Sequence, residues 1–278
     1  TGRTLSGVPV LGTTAALAGT VERLGVEEIV VALPSAPHET VRRLLNTAAD
    51  LGIQTRVMPQ LVIAKGSVSL RDLRPVEVED LLGREPTPID VEQVRETIAG
   101  KVVAVTGAAG SIGAELCRQI VALDPARLLL LEIDETRLYE LWLELEKRAP
   151  GVAEMRICDI RDVAKLDAVF AATGPDLVLH AAAYKHVPLM ELEPAEAIRT
   201  NVGGTRNVVR ACVAHGVKRF VLISTDKAVA PANVMGLTKR LAERVTLEAA
   251  RDAGLNAVAV RFGNVLGSRG SVVPIFAE

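Results

Sequence analysis

The chain has 278 residues, of which 49% are hydrophobic, 24% charged and 3% aromatic, with a formal net charge of −2. Such a balance supplies a sizeable core and excludes a disordered or fibrous polypeptide, and the small net charge makes no global electrostatic case for nucleic acid or an anionic membrane as partner. The longest uncharged stretch, Thr4 to Val21, is rich in Thr, Ser, Gly and Pro, whereas a bilayer span needs about 20 mostly apolar residues.

Residue 1 is not Met and no signal-peptide pattern follows, so the native start is expected upstream. Within the first 80 residues, Pro9–Leu11, Glu28–Leu33 and Ile53–Met58 read as strands of a parallel sheet. The apolar spacing of Val41, Leu44, Leu45 and Ala48 predicts a helix from His38 to Leu51. Three strands are fewer than the roughly five or six of a complete doubly wound domain, so 1–82 is expected to be a partial α/β domain. Gly83 to Gly100 turns polar, with two prolines, and predicts a linker carrying one short helix, Val91–Ile98. From residue 101 onward, strands are expected near 102–106, 127–132, 153–158, 176–180, 219–224 and 256–262, alternating with helices. That rhythm predicts an α/β fold with a Rossmann-type doubly wound parallel sheet over 101–278. The chain stops at Phe276-Ala277-Glu278 without a closing turn, so both ends read as truncated.

Lys101–Val105 is a buried-strand pattern that runs straight into Thr106-Gly107-Ala108-Ala109-Gly110-Ser111-Ile112-Gly113 and then a helix, Ala114–Val121. Gly107 permits a sharp turn, Gly110 lets backbone approach a pyrophosphate, and Gly113 lets helix and strand pack closely; the helix N-terminus offers N–H groups to phosphate. Glu132 and Asp134 end the second strand, where a carboxylate bonds ribose hydroxyls and repels a 2′-phosphate, favouring NAD over NADP. Arg137 nearby would suit NADP, and Asp134 reads equally well as a helix N-cap. Asp159, followed by Ile160, ends the third strand where it could bond an adenine amino group, and Ala181, Ala182 and Ala183 follow the fourth.

Eight lysines occur in the chain, and Lys185, Lys227 and Lys239 fall just past strand ends, where open α/β sheets bind ligands. Thr225-Asp226-Lys227 leaves the fifth strand, and Met235 and Lys239 lie at i and i+4 on the next helix. His180 and His186 lack metal-ligand companions, so no metal site is expected, and His180 reads as a buried core residue. Cys117, Cys158 and Cys212 are spaced like neither a disulfide framework nor a zinc site and read as core thiols of a reducing compartment.

Four ordered segments, TGAAGSIG, HAAAYKHVPLMELEPAEAIRTN, STDKAVAPANVMGLTKRLAE and RFGNVLGSRGSVVPIF, are similar to the long, membrane-anchored nucleotide-sugar 4,6-dehydratases of polysaccharide biosynthesis, within the extended short-chain dehydrogenase/reductase family. Residues 1–80 resemble the accessory nucleotide-binding-like domain of those members. The resemblance implies NAD-dependent conversion of a UDP-N-acetylhexosamine such as UDP-GlcNAc to a 4-keto-6-deoxy sugar, with Lys227 as base, Asp226 as acid and Lys239 holding the nicotinamide ribose. It implies that Lys185, Asn264 and the turn Ser268-Arg269-Gly270-Ser271 meet the substrate. It also implies a homo-oligomer anchored at the cytoplasmic face of the inner membrane by helices absent from these residues, and a substrate lobe beyond Phe276, without which this stretch is expected to turn over substrate poorly. Met235 stands where the superfamily has Tyr, and a thioether cannot accept a hydroxyl proton. That leaves Asp226, a Thr225-linked water or Lys239 for the sugar 4-hydroxyl, with Tyr184 as an outside candidate that reads better as a stacking ring. Two other activities fit the same residues: nucleotide-sugar epimerisation, and non-catalytic sensing of NAD or nucleotide sugar.

Overall fold

The computed structural model describes residues 4–5, 7–33, 36–58, 73–76, 90–263 and 265. The chain divides between Pro88 and Ile89 into two units.

In the first unit, β1 (Thr4–Leu5) and β2 (Val8–Pro9) form a two-residue antiparallel ladder across Gly7, whose φ of +83° suits the turn. Helix α1 (Leu17–Leu24) leads to β3 (Glu28–Val31), α2 (His38–Asp50) and β4 (Gln54–Val57), which pairs parallel to β3. Strand β5 (Arg74–Pro75) then pairs antiparallel to β4. Two expectations are corrected here. The Pro9–Leu11 strand is instead Val8–Pro9 and belongs to the small ladder rather than the β3–β4 sheet, because proline has no N–H to donate to a central ladder. The sheet is also mixed rather than wholly parallel. Val31, Leu45 and Val57 form a small core under Ile29, Val41 and Val76.

The second unit opens with α3 (Val91–Ile98), capped by the Asp90 carboxylate accepting from Gln93 N at 3.1 Å. This helix is not a bare connector, since Ile98 is buried in the core of the second unit and Arg219 donates to Thr97 Oγ1 at 3.1 Å. There follow β6 (Val102–Thr106), α4 (Ser111–Val121), β7 (Arg127–Glu132), α5 (Glu135–Glu146), β8 (Ala153–Ile157), α6 (Val163–Thr173) and β9 (Leu177–His180). Helices α7 (Val187–Leu192) and α8 (Pro194–Ala197) run into a wide π turn, Ile198–Gly204, and then α9 (Thr205–Ala214). Strand β10 (Arg219–Thr225), a 3₁₀ turn (Asp226–Ala228), α10 (Val234–Ala253) and β11 (Asn256–Phe262) complete the unit.

Strands β6 to β11 make one parallel sheet in the order β11-β10-β9-β6-β7-β8, the doubly wound order expected from the sequence. The runs VVAV and LLLL are hydrophobic throughout because both faces are covered, and the period-2 pleat sends Val103, Val105, Leu128 and Leu130 to one core and Ala104, Leu129 and Leu131 to the other. Chain order reverses between β9 and β6, so the loops after these two strands leave in opposite directions. The crevice between them is where such sheets bind ligands. Among the described residues no helix is long and apolar enough to cross a membrane.

Candidate active site

Gly107, at φ +65°, turns the chain out of β6, and a Cβ there would lie 2.6 Å from the Ala182 backbone. A Cβ on Gly113 would lie 2.0 Å from the Gly107 carbonyl oxygen. These two glycines therefore let the turn, α4 and the loop after β9 come together. Gly110 differs: its Cβ would meet only the Gly107 oxygen, at 3.2 Å. It is exposed, precedes α4 and has no side chain with which to cap it, so no N-cap side chain satisfies the first-turn N–H groups of α4. The helix starts at Ser111, three residues before the expected Ala114, because Gly110 already has extended N-cap geometry.

Glu132 closes the turn from the neighbouring strand. Its Oε2 accepts from Ala109 N at 3.1 Å and its Oε1 from Ile133 N at 2.8 Å. Asp134 caps α5, accepting from Arg137 N at 3.1 Å, and its other oxygen lies 3.3 Å from Arg137 Nε. Asp134 and Arg137 thus match each other in charge. Asp159 is gripped by Arg161 through the backbone N–H and the guanidinium, which hold its carboxyl below the usual range. Ile160 is buried in the core under Gly204.

At the end of β10, Thr225 Oγ1 donates to Asp226 Oδ1 at 2.9 Å, and Lys227 Nζ donates to the same oxygen at 3.2 Å. Both bonds, the hydroxyl's first, lower the Asp226 pKa. Met235 is buried with Met190 and Ala197, so its thioether is a packing group. Lys239, one helical turn on, is buried, and Nζ donates to the Ile223 carbonyl at 2.7 Å. Burial pushes its pKa down to about 8, against the opposing pull of Glu243.

A buried polar chain that sequence reasoning missed joins the glycine turn to this helix. Thr106 Oγ1 lies 2.6 Å from His180 Nδ1, and His180 Nε2 lies 2.9 Å from Thr205 Oγ1. Because the Thr205 hydroxyl donates to the Asn201 carbonyl at 2.7 Å, it must accept from Nε2–H, which fixes the tautomer and leaves Nδ1 to accept from Thr106. Burial and the nearby Lys239 charge push the His180 pKa down to about 3, so the ring is neutral. The Asn201 side chain accepts from Tyr184 N at 2.8 Å and donates to Tyr184 O and Thr238 Oγ1, each at 3.0 Å. It thereby ties the loop holding Ala181–Ala183, Tyr184 and Lys185 to α10. Tyr184 and Lys185 are exposed on that loop. Asn264, Ser268, Arg269, Gly270 and Ser271 lie outside the described residues.

A parallel sheet in this order, a glycine turn into α4, an acid at the end of β7 and a lysine one turn inside α10 define a Rossmann-type protein of the short-chain dehydrogenase/reductase class. Residues 103–278 match the family model described as a polysaccharide biosynthesis protein, and the chain belongs to that family. Residues 1–59 match a model described as a CoA-binding domain. The chain is 42% identical over 277 residues to the probable polysaccharide biosynthesis protein EpsC of Bacillus subtilis, covering 99% of this chain and 46% of that protein. It is 38% identical over 182 residues to the UDP-N-acetylglucosamine 4,6-dehydratase (inverting) of Campylobacter jejuni, covering 64% of this chain and 53% of the relative. Among solved structures, Pen from Bacillus thuringiensis superposes with a TM-score of 0.61 at 35% identity, over 64% of this chain and 57% of the other. The chain spans about half the length of the curated relatives it matches.

Proposed function

We propose that this chain carries the NAD-binding and catalytic core of a nucleotide-sugar 4,6-dehydratase that converts a UDP-N-acetylhexosamine, UDP-GlcNAc in the first instance, to a 4-keto-6-deoxy sugar for polysaccharide synthesis. The observation that carries it is the joint placement of the Thr225-Asp226-Lys227 cluster and buried Lys239 at the strand ends that also bear the glycine turn. Likeness to a named dehydratase supports the chemistry.

The residues fit a dinucleotide. Gly110 leaves open the space a side chain would fill before α4, and Glu132 stands at the end of β7 where ribose hydroxyls would lie. A dinucleotide held at the 107–113 turn and Glu132 would supply the hydride acceptor for carbon 4 of the sugar and the hydride donor for carbon 6. Oxidation at carbon 4 makes the carbon 5 proton acidic. With Met235 packed in an apolar cluster, Lys239 is the group that accepts the 4-hydroxyl proton, because burial brings it close to neutrality near working pH. Lys227 Nζ lies 3.2 Å from Asp226 Oδ1. Seated substrate would exclude water from this pair, which disfavours its charged forms, so that Lys227 takes the carbon 5 proton and Asp226 gives one to the departing 6-hydroxyl against the bonds that lower its pKa in the open site. Lys227 then returns its proton to carbon 5, and a proton moving from Lys239 to Asp226 through solvent resets the site.

Incubating a protein that carries the rest of the family's length with NAD⁺ and UDP-GlcNAc should give a product lighter by one water. A product of unchanged mass but inverted carbon 4 would make the protein an epimerase, and unchanged substrate would overturn both activities. Titration calorimetry should show NAD(H) binding more tightly than NADP(H), because Glu132 repels a 2′-phosphate while Arg137 is matched by Asp134. Tighter NADP(H) binding would reverse the cofactor assignment.

A further inference from the structure

Beyond Lys239 on α10 lies a second polar cluster, built on Glu243. Glu243, one turn further along α10, is a carboxylate only 4% exposed. Ser224 Oγ donates to its Oε1 at 2.5 Å, and Arg261 on β11 forks onto it, Nε to Oε1 at 2.8 Å and Nη2 to Oε2 at 2.6 Å. Consecutive residues of β10 thus hold the two side chains: the Ile223 carbonyl takes the Lys239 ammonium and the Ser224 hydroxyl takes the Glu243 carboxylate. Burying a carboxylate is costly unless it is paired and hydrogen-bonded, and packing alone would be met as well by an apolar side chain at 243.

We propose that Glu243, oriented by Ser224 and Arg261, is a positioning residue that sets the charge of Lys239 and so the protonation state in which it meets the sugar hydroxyl. The other groups around Lys239 leave this role to Glu243. From β9 the facing titratable side chain is His180, which is neutral. From the turn after β10 come Asp226 and Lys227, bound to each other. From β11 comes Arg261, whose charge is directed at Glu243. Glu243 favours the Lys239 ammonium, while the Arg261 guanidinium bound to it keeps Glu243 ionised and, as a like charge, opposes the ammonium.

The proposal rests on the reading of Lys239 as a proton acceptor, but it can be tested without turnover. With eight lysines in the chain, ¹³C labelling of lysine and NMR titration resolve Lys239, assigned by its loss in Lys239→Arg. In Glu243→Gln, which keeps the shape and removes the charge, the Lys239 midpoint should fall by about one unit. In Arg261→Gln, which leaves the carboxylate uncompensated, it should rise. Opposite shifts support the proposal; a midpoint unmoved in Glu243→Gln, or shifts of the same sign, overturn it. Should Glu243→Gln fail to fold, Arg261→Gln decides alone, an upward shift supporting the role and no shift ending it. In the active protein the pH profile of the first oxidation should move with the midpoint. If the lysine shifts while no dehydration is seen in the parent, the functional reading fails and the Glu243 role stands.

Discussion

Lys227→Ala should abolish loss of water from UDP-GlcNAc while leaving NAD(H) affinity nearly unchanged. The side chain sits at the exit of β10, half-buried, with Nζ donating to Asp226 Oδ1 at 3.2 Å. Under the proposed mechanism, removing it takes away the base for carbon 5. General-base loss costs roughly 10²–10⁴-fold in rate. The glycine turn at 106–113, the proposed dinucleotide site, belongs to β6 and α4, on the far side of β9 in the sheet, so binding measured by calorimetry should not change. Turnover above about a tenth of the parent's would remove Lys227 from the base role. Loss of NAD(H) binding would instead place its side chain in the cofactor site.

The second large effect is on stability. Gly113→Ala should destabilise the second unit by more than about 3 kcal/mol, the upper part of the usual range for overpacking a tight interior. Its Cβ would meet three backbone atoms, Gly107 O at 2.0 Å and Ala108 Cα and Gly107 C at 2.9 Å. Backbone cannot swing aside as a flexible side chain can, so α4 would have to lift from β6. Gly110→Ala is the matched control. Its single contact at 3.2 Å, with the same Gly107 oxygen, needs a shift of tenths of an ångström, so it should unfold near the parent yet bind dinucleotide poorly. Urea unfolding of the three proteins checks both. A Gly113→Ala protein within about 1 kcal/mol of the parent would mean that helix and turn do not meet as closely as described.

The parallel sheet of the second unit was readable because its central strands β6, β7 and β9 are buried on both faces and so appear as nearly unbroken apolar runs. The glycine turn was readable for a related reason: Gly107 and Gly113 answer steric demands that no other residue meets, and Gly110 marks where backbone is left bare. The first unit was harder. Its strands are two to four residues long, and no local pattern distinguishes Val8–Pro9 in a small ladder from a strand of the main sheet. Asp134 shows the limit for single residues, since one carboxylate at a strand end can face ribose or cap a helix, and here it caps α5. What the sequence concealed is the polar layer behind the site. Thr106, His180, Asn201, Thr205 and Thr238 come from five separate elements and carry no spacing, so only folding brings them into one chain of hydrogen bonds. Glu243 looked like any solvent-facing acid on a long amphipathic helix. Its partner Arg261 lies across a strand connection, and nothing in the local sequence distinguishes a buried carboxylate from an exposed one.

The wide turn at Ile198–Gly204 has a consequence for heredity. An α-helix advances by about 100° per residue, and a π turn accommodates one residue more than the α turn it replaces. Upstream of it α8 carries Glu196, bound to Arg161 beside Asp159; within it Asn201 grips Tyr184 and Thr238; just past it Thr205 meets His180. These three directions are correct together only at the present residue count. Loss of one codon in this stretch would rotate one end of the helix against the other by about a quarter turn, parting Asn201 or Thr205 from its partner while leaving every apolar letter in place. A lineage descending from this chain can therefore rewrite the segment's spelling more freely than its length.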